Sequence, residues 1–149
     1  MTNVLIVAAT FYEDIADELI SGARDVLEQA GADFDTVIVP GAFEIPAAIN
    51  FAHMAGAKGS HKAYDGYIAL GCVIRGETSH YDYVCGESAR GLMDLSLQKD
   101  IALVNGILTV VNRDQAMARA ERVQKNKGGD VAQALLDMLA IKQRFGLSE

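Results

Sequence analysis

The feature that most constrains the fold is an abrupt change of character within residues 67–84. The first part, Tyr67-Ile68-Ala69-Leu70-Gly71-Cys72-Val73-Ile74, is almost wholly apolar. Such a run is typical of a strand that is covered on both faces in a parallel sheet. A dense row of polar and ionisable residues, Arg75 to His80, follows it. Because open α/β sheets bind ligands just beyond the carboxyl ends of their strands, we expect the chemistry of the protein in this row.

The polar row also predicts a helix start and an anion site. Ser79-His80-Tyr81-Asp82 matches the Ser-x-x-Asp form of a capping box. A helix that begins here directs its unpaired N–H groups and its positive dipole end at the loop. Gly76 lets the backbone approach a ligand closely, and Thr78 and Ser79 supply hydroxyl donors that suit a phosphate. His80 can transfer a proton near neutral pH.

Each of these residues also has an ordinary structural explanation. Capping boxes precede many helices that bind nothing, and a single loop histidine is more often solvated or structural than catalytic. Glu77 argues against a simple anion site, because a carboxylate beside a phosphate is repulsive unless it points away or pairs with Arg75. The segment by itself leaves both interpretations open.

Strands and helices are predicted to alternate along the whole chain. Apolar or β-branched runs predict strands at 3–10, 36–39, 67–74 and 101–110. Helices are expected over 13–30, 45–56, 79–98 and 112–123, and a last helix is expected to begin at a cap formed by Asp130. With right-handed crossovers this pattern gives a four-stranded parallel sheet with helices on both faces. The predicted fold class is α/β, a three-layer α/β/α sandwich of the flavodoxin-like type, in one domain over residues 1–149.

Two further loops follow predicted strands at the same edge of the sheet. In Thr10-Phe11-Tyr12, the aromatic rings either face a planar ligand or cap the core and lie exposed. In Gly41-Ala42-Phe43-Glu44, the carboxylate either accepts hydrogen bonds from a ligand or caps the next helix. Asn105 interrupts the apolar fourth strand and therefore needs a partner in the core, in a ligand or at a subunit interface.

The composition narrows the class of ligand. A formal net charge of −7 argues against a nucleic-acid or anionic-membrane surface and favours a small-molecule ligand. The chain goes directly into apolar strand sequence without a basic leader or a cleavage site, so we expect a cytoplasmic protein that is not bound to a membrane. Cys72 and Cys85 are expected to be reduced structural thiols, and the three histidines have no metal-ligand spacing.

Several segments taken together resemble the lumazine synthase family. They are Pro40-Gly41-Ala42-Phe43-Glu44-Ile45-Pro46, Gly71 to Val84, Asn105-Gly106-Ile107-Leu108-Thr109 and Asn126-Lys127-Gly128, in the family's order and across nearly the whole chain. The resemblance implies a transferase of riboflavin biosynthesis. Its members condense 5-amino-6-(D-ribitylamino)uracil with 3,4-dihydroxy-2-butanone 4-phosphate to give 6,7-dimethyl-8-ribityllumazine, phosphate and water, with no metal and no organic cofactor.

The resemblance also implies which residues bind the pyrimidine substrate. Phe11 would stack on the pyrimidine ring. The ribityl chain and the ring would be bound, largely through backbone groups, by Ala42, Phe43, Glu44, Cys72, Val73 and Ile74. In the family each site lies between neighbouring subunits of a homopentamer, and Asn105 would reach it across that interface.

The remaining implied roles concern the phosphate and the protons. Gly76, Glu77 and Thr78 would hold the phosphate, with Arg119 as its counter-charge. Glu77 suits this position if only its N–H is used. His80 would move protons during imine formation, phosphate elimination and ring closure.

Three positions depart from the family's pattern. Thr10 replaces an arginine that is common before the stacking aromatic, Asn105 stands where many members have phenylalanine, and Val123 stands where many have lysine. These departures motivate an alternative function, a non-catalytic flavin or lumazine carrier of the same fold. A thiol hydrolase that uses Cys85 and His80 is a weaker alternative, because Cys85 lies about one helical turn beyond His80.

Overall fold

Runs of aliphatic and β-branched residues form four parallel strands in a computed structural model that describes residues 1–147. The strands are β1 (Asn3–Ala9), β2 (Asp33–Val39), β3 (Gly66–Ile74) and β4 (Ala102–Val110). Their order in the sheet is β2-β1-β3-β4. Ala9 pairs with Val39 and Ile74 pairs with Val110, so the strands end at a common edge. This order is that of the flavodoxin-like fold, and the predicted fold class is confirmed.

Five helices cover the two faces of the sheet. They are α1 (Glu13–Gln29), α2 (Ile45–Lys58), α3 (His80–Gln98), α4 (Arg113–Ala120) and α5 (Lys127–Arg144), and a 3-10 turn, Ala42–Glu44, precedes α2. On one face Leu19 of α1 and Leu135 of α5 pack in a cluster that includes Ile68 of β3. On the other face Ile49 of α2 and Leu92 of α3 pack with Ala69 of β3. The result is the expected three-layer arrangement.

The two central strands are buried on both faces. Ile68 and Ala69 of β3 point to opposite faces and are both inaccessible to solvent. This explains why residues 67–74 read as one continuous apolar run, since each face has its own layer of helices. Along the edge strand β4 every second residue is buried, whereas Asn105 and Thr109 on the other face are exposed.

Two predicted helix boundaries are wrong. The helix expected to reach Val123 ends at Ala120, where Glu121 takes the extended angle ψ 130°, and Val123 is 90% exposed in the turn that follows. The last helix is not capped by Asp130. Asn126, with φ 48°, caps it instead, and its side-chain oxygen accepts a hydrogen bond from the Gly129 N–H at 3.3 Å. Within residues 1–147 no helix is long and apolar enough to cross a membrane.

Candidate active site

The loops that follow the four strands lie at one edge of the sheet, as the parallel topology requires. Phe11, directly beyond β1, is 73% exposed, and its ring meets the Tyr12 ring edge-on at 4.9 Å. Tyr12 packs against the core cluster beneath α1. Of the two roles that the sequence allows for these rings, Tyr12 therefore has the core contact, and Phe11 is available to a ligand.

The second loop presents an aromatic ring and a carboxylate. Ala42 is buried, whereas Phe43 is 56% exposed. Glu44 precedes α2, but its side chain makes no capping hydrogen bond, so the capping role considered for it is not observed. Its carboxylate lies over Gly41, where an added Cβ would be 3.2 Å from Oε1 of Glu44. The carboxylate thus stays exposed at the edge of the sheet.

The last three residues of β3 lie at this edge of the sheet. Cys72, Val73 and Ile74 are each half-buried. Cys72 and Ile74 pack towards the α1 side of the sheet, and Val73 packs towards the α2 and α3 side. Burial raises the pKa of the Cys72 thiol to about 11, which keeps the thiol neutral at physiological pH. The Cys72 thiol therefore has no sign of a reactive nucleophile.

The helix start predicted after the polar row is confirmed, but its capping box does not form. α3 begins at His80 with Ser79 at the cap position, and the Ser79 side chain makes no capping hydrogen bond. The hydroxyl of Thr78 accepts a hydrogen bond from the His80 N–H at 3.3 Å instead. Asp82, the other member of the expected box, pairs with Arg75.

Gly76 has no structural requirement for glycine within its own chain. Its φ is not among the left-handed values, and a Cβ added there would meet nothing within 4 Å. Neither backbone conformation nor internal packing therefore explains this residue. Open space beside a backbone that precedes a helix start is what close approach of a ligand needs.

Arg75 contacts residues on both sides of the loop that it begins. Its N–H donates to the Val110 carbonyl at 2.9 Å. Its guanidinium lies 4.3 Å from the centroid of the Tyr81 ring, and Nη2 is 3.2 Å from Oδ1 of Asp82. Arg75 is thus engaged by α3 and not by Glu77, which is exposed. This arrangement was not predicted, although an arginine seven residues before an aspartate in the first turn of a predicted helix is visible in the sequence.

His80 is exposed at the amino end of α3. In the part of the chain that the structure describes, no side-chain hydrogen bond of its imidazole is formed, and its backbone N–H is the group that binds Thr78. The ring is consequently free to contact a ligand held at the adjacent loop. Phe11, residues 42–44, residues 72–74 and residues 76–80 all belong to this one edge.

Arg119 and Asn105 do not join this group within one chain. Arg119 is half-buried on α4 and donates to the Gln115 carbonyl of its own helix at 2.9 Å. Among residues 1–147 no hydrogen bond or ion pair links it to residues 75–80. Asn105 lies in the middle of the edge strand β4, where it pairs with Ala69, roughly 16 Å along the strand from its carboxyl end. It is exposed and accepts from the Ile107 N–H at 2.9 Å, so it has no partner in the core.

Two arginines hold α4 against an acidic side of α1. Arg113 at the start of α4 pairs with Asp14, and the Arg113 guanidinium holds the pKa of that carboxyl below its usual value. Beyond the end of α4, Arg122 binds Glu18 through its backbone N–H at 3.2 Å and through its guanidinium at 3.3 Å. These contacts fix the helix that carries Arg119. They were not predicted, because they join residues about 100 positions apart.

The described residues contain no group of three or more His, Cys, Asp or Glu side chains that could hold a metal ion.

Comparison with known proteins gives matches over nearly the whole chain. Residues 1–143 match the family described as 6,7-dimethyl-8-ribityllumazine synthase. A protein of that name from Bartonella henselae is 56% identical over 144 residues, which cover 97% of this chain and 90% of the relative. The protein named 6,7-dimethyl-8-ribityllumazine synthase 1 from Rhizobium meliloti is 55% identical, with coverage of 97% and 94%. One from Paramagnetospirillum magneticum is 50% identical over 149 residues, with coverage of 99% of each chain.

Proposed function

The chain belongs to the 6,7-dimethyl-8-ribityllumazine synthase family, and we propose that it catalyses the reaction for which its relatives are named. In that reaction 5-amino-6-(D-ribitylamino)uracil condenses with 3,4-dihydroxy-2-butanone 4-phosphate, and 6,7-dimethyl-8-ribityllumazine, phosphate and water are formed. The relatives carry the name of the enzyme, which favours catalysis over the carrier alternative. The chain is accordingly a transferase.

One observation carries the placement of the phosphate at the Gly76 loop. Gly76 has open space around it and no conformational need for glycine, and it lies just before the amino end of a 19-residue helix. Helix N–H groups and the positive dipole end favour an anion at this position. The Thr78 hydroxyl lies beside it. Glu77 fits this site through its N–H, with its exposed carboxylate directed into solvent.

The exposed imidazole of His80 suits the proton transfers of the reaction. The substrate amine attacks the ketone and loses water to give an imine, phosphate then leaves, and the second nitrogen closes the ring with loss of water. These steps need a proton donor at one moment and an acceptor at another, and an imidazole can serve as either. Because amine and ketone are intrinsically reactive, holding them together supplies much of the acceleration.

The pyrimidine half of the site is proposed to lie between the loops after β1, β2 and β3. Phe11 stacks on the ring through an exposed face that no core contact uses. Phe43 and the Glu44 carboxylate, with backbone groups of residues 72–74, bind the ribityl chain and the ring edge. This division leaves the phosphate and the proton transfers to residues 76–80.

We further propose a homo-oligomer, with Asn105 and Arg119 contributed to the site of a neighbouring copy in a pentamer. Large apolar side chains are exposed on β2, α2 and α3, namely Val37, Ile38, Phe51, Met54, Met93 and Leu97. Monomeric proteins seldom leave this much apolar surface in contact with water. Sedimentation of the purified protein measures the assembly, and a monomer at micromolar concentration would contradict the proposal.

Cytoplasmic location is likewise a proposal, which cell fractionation tests.

The activity test follows lumazine absorbance with both substrates present, against the uncatalysed reaction. His80→Ala is expected to slow turnover roughly 10- to 100-fold without abolishing it, because proximity remains. Gly76→Ala is expected to raise KM for the phosphorylated ketone while thermal stability stays unchanged, since the added methyl meets only the ligand. Tight flavin binding with no product above the spontaneous rate would instead establish the carrier.

A further inference from the structure

Arg75 connects the two ends of the loop to which the phosphate is assigned. The loop begins where the Arg75 N–H is bonded to Val110 of β4, at 2.9 Å. It ends in the first turn of α3, whose residues Tyr81 and Asp82 both engage the Arg75 guanidinium, at 4.3 Å from the ring centroid and at 3.2 Å from the carboxylate. Residues 76–79 therefore lie between two fixed points. We call Arg75, Tyr81 and Asp82 the Arg75 cluster.

We propose that Arg75 is a positioning residue, which holds the amides of residues 76–78 in the arrangement that receives phosphate and does not itself bind phosphate. This inference rests on the proposed function, because it concerns the same loop. A planar guanidinium can stack on the Tyr81 ring and pair with the Asp82 carboxylate at the same time, and a lysine ammonium cannot reproduce that geometry. The requirement is therefore for an arginine and not merely for a positive charge.

The loop needs such support because it has little of its own. Residues 75–80 are all exposed, and the space around Gly76 is open. A loop that must be ordered when its ligand binds loses affinity by the cost of that ordering, and contacts that order it beforehand recover the loss. Stacking and ion pairing at exposed sites are individually modest, so we expect the cluster to be worth roughly three- to tenfold in phosphate affinity.

The competing role for Arg75 is direct contact with the phosphate, and two substitutions separate the alternatives. Tyr81→Leu changes no charge at neutral pH. Under the positioning role it loosens the loop and weakens phosphate binding, whereas under direct contact it releases the guanidinium and leaves binding unchanged or tighter. Arg75→Lys keeps a cation that binds phosphate as a point charge, so direct contact predicts a small effect and positioning predicts a loss equal to that of Arg75→Met.

The experiment measures inorganic phosphate binding by calorimetry, and KM for each substrate, on the full-length protein. Positioning predicts that Arg75→Lys, Arg75→Met and Tyr81→Leu each weaken phosphate binding and raise KM for the phosphorylated ketone by roughly three- to tenfold. KM for the pyrimidine substrate should not change. Arg90→Lys is the matched control, because Arg90 forms ion pairs with Glu87 and Asp94 on the exposed side of α3 and has no contact with the loop.

The outcomes distinguish this inference from the proposed function. The positioning role is overturned if Arg75→Lys leaves the phosphate affinity unchanged, or if Tyr81→Leu leaves it unchanged or tighter. If catalysed product still forms, the proposed function is left intact. Absence of catalysed product in the wild-type protein overturns the proposed function, and the calorimetric comparison then still decides whether the cluster orders the loop. Melting temperatures identify a variant that is merely unstable. If Tyr81→Leu is unstable, the phosphate affinity of the surface variant Arg75→Lys decides between the two roles.

Discussion

Replacing Gly128 by alanine should destabilise the protein, although alanine is the better helix former. A Cβ added at Gly128 would lie 2.0 Å from the Leu19 carbonyl oxygen, 2.8 Å from its carbonyl carbon and 2.9 Å from its Cα. All three atoms belong to the backbone of α1, so no change of rotamer relieves the overlap. The amino end of α5 must instead move away from α1 by about 1 Å or more to restore ordinary contact distances.

The magnitude follows from two opposed contributions. Forcing extra methyl groups into a close-packed contact costs about 1–3 kcal/mol and occasionally more, and a backbone overlap belongs at the upper end. Alanine recovers at most about 1 kcal/mol over glycine in a helix. We expect a net loss of about 2–3 kcal/mol in the free energy of unfolding, which lowers Tm by roughly 4–12 °C for a chain of this length.

Gly86 provides the matched control, since it is also a helical glycine but a Cβ there would meet nothing within 4 Å. Gly86→Ala should therefore raise stability by about 0.5–1 kcal/mol. Thermal unfolding of both variants and the wild type, at equal protein concentration because oligomers melt in a concentration-dependent way, gives the comparison. A Gly128→Ala protein as stable as the wild type would refute the close approach of α5 to α1 as the reason for this glycine.

Three further changes test separate features of the fold. Asn112→Ala removes the side chain that accepts from the Gln115 N–H at 2.8 Å at the start of α4, so urea unfolding should show a loss of about 1 kcal/mol. Lys62, with the Tyr64 hydroxyl, lowers the pKa of Asp35; the resulting stabilisation is present above the unfolded pKa of about 3.9 and is lost as the pH falls through the folded value. Asp35→Asn should accordingly be less stable than the wild type at pH 6, and the difference should shrink as the pH falls below about 3.9. Since burial raises the pKa of Cys72 to about 11, iodoacetamide at pH 8 should modify it on the order of 100-fold more slowly than a free thiol.

The central strand was predictable because its cause is local in sequence. Residues 67–74 must be apolar throughout when both faces of the strand are covered. An apolar run of only eight residues is also the length of a strand and is short for a buried helix. Right-handed crossovers then give a parallel sheet with helices on both faces. The start of α3 at His80 was likewise marked by its own residues, even though Thr78 and not Ser79 supplies the acceptor.

The errors near the end of the chain have a tertiary cause. Two adjacent glycines, Gly128 and Gly129, are typical of a turn between helices, and this pattern favours Asp130 as the cap. They lie instead in the first turn of α5, where the absence of a side chain at Gly128 lets the helix approach Leu19 of α1 closely. Asn126 can cap from the left-handed conformation because asparagine tolerates a positive φ. The sequence of residues 126–130 does not distinguish a glycine that permits a turn from one that permits a close contact between two helices.

The carboxyl edge was identified from the sequence, but its internal contacts were not. Whether Arg75 pairs with Glu77 or with Asp82 depends on the direction in which the chain leaves β3 and on the orientation of the first turn of α3. Both acids are close to Arg75 in sequence. Only the structure shows that Asp82, together with the Tyr81 ring, is the partner.

Asn105 and Arg119 are predicted site residues that have no contact with the other site residues among the hydrogen bonds and ion pairs of residues 1–147 of one chain. Asn105 is exposed in the middle of β4, and the Arg119 guanidinium is bonded only to its own helix within the described residues. Within the described residues neither side chain has a hydrogen bond or an ion pair with His80 or the Gly76 loop. If the proposed shared site is correct, the His80 of one copy works with the Arg119 of another.

A shared site predicts that two defective variants restore each other's activity. His80→Ala and Arg119→Ala chains, co-expressed in equal amounts, form interfaces at random, and about a quarter of these combine an intact His80 with an intact Arg119. Mixed oligomers should therefore regain about a quarter of the difference between the variants and the wild type, whereas variants purified separately and mixed without subunit exchange should not. If both residues acted within one chain, every mixed chain would lack one of them. Co-expression would then give only the average of the two variants, and that result would refute the shared site.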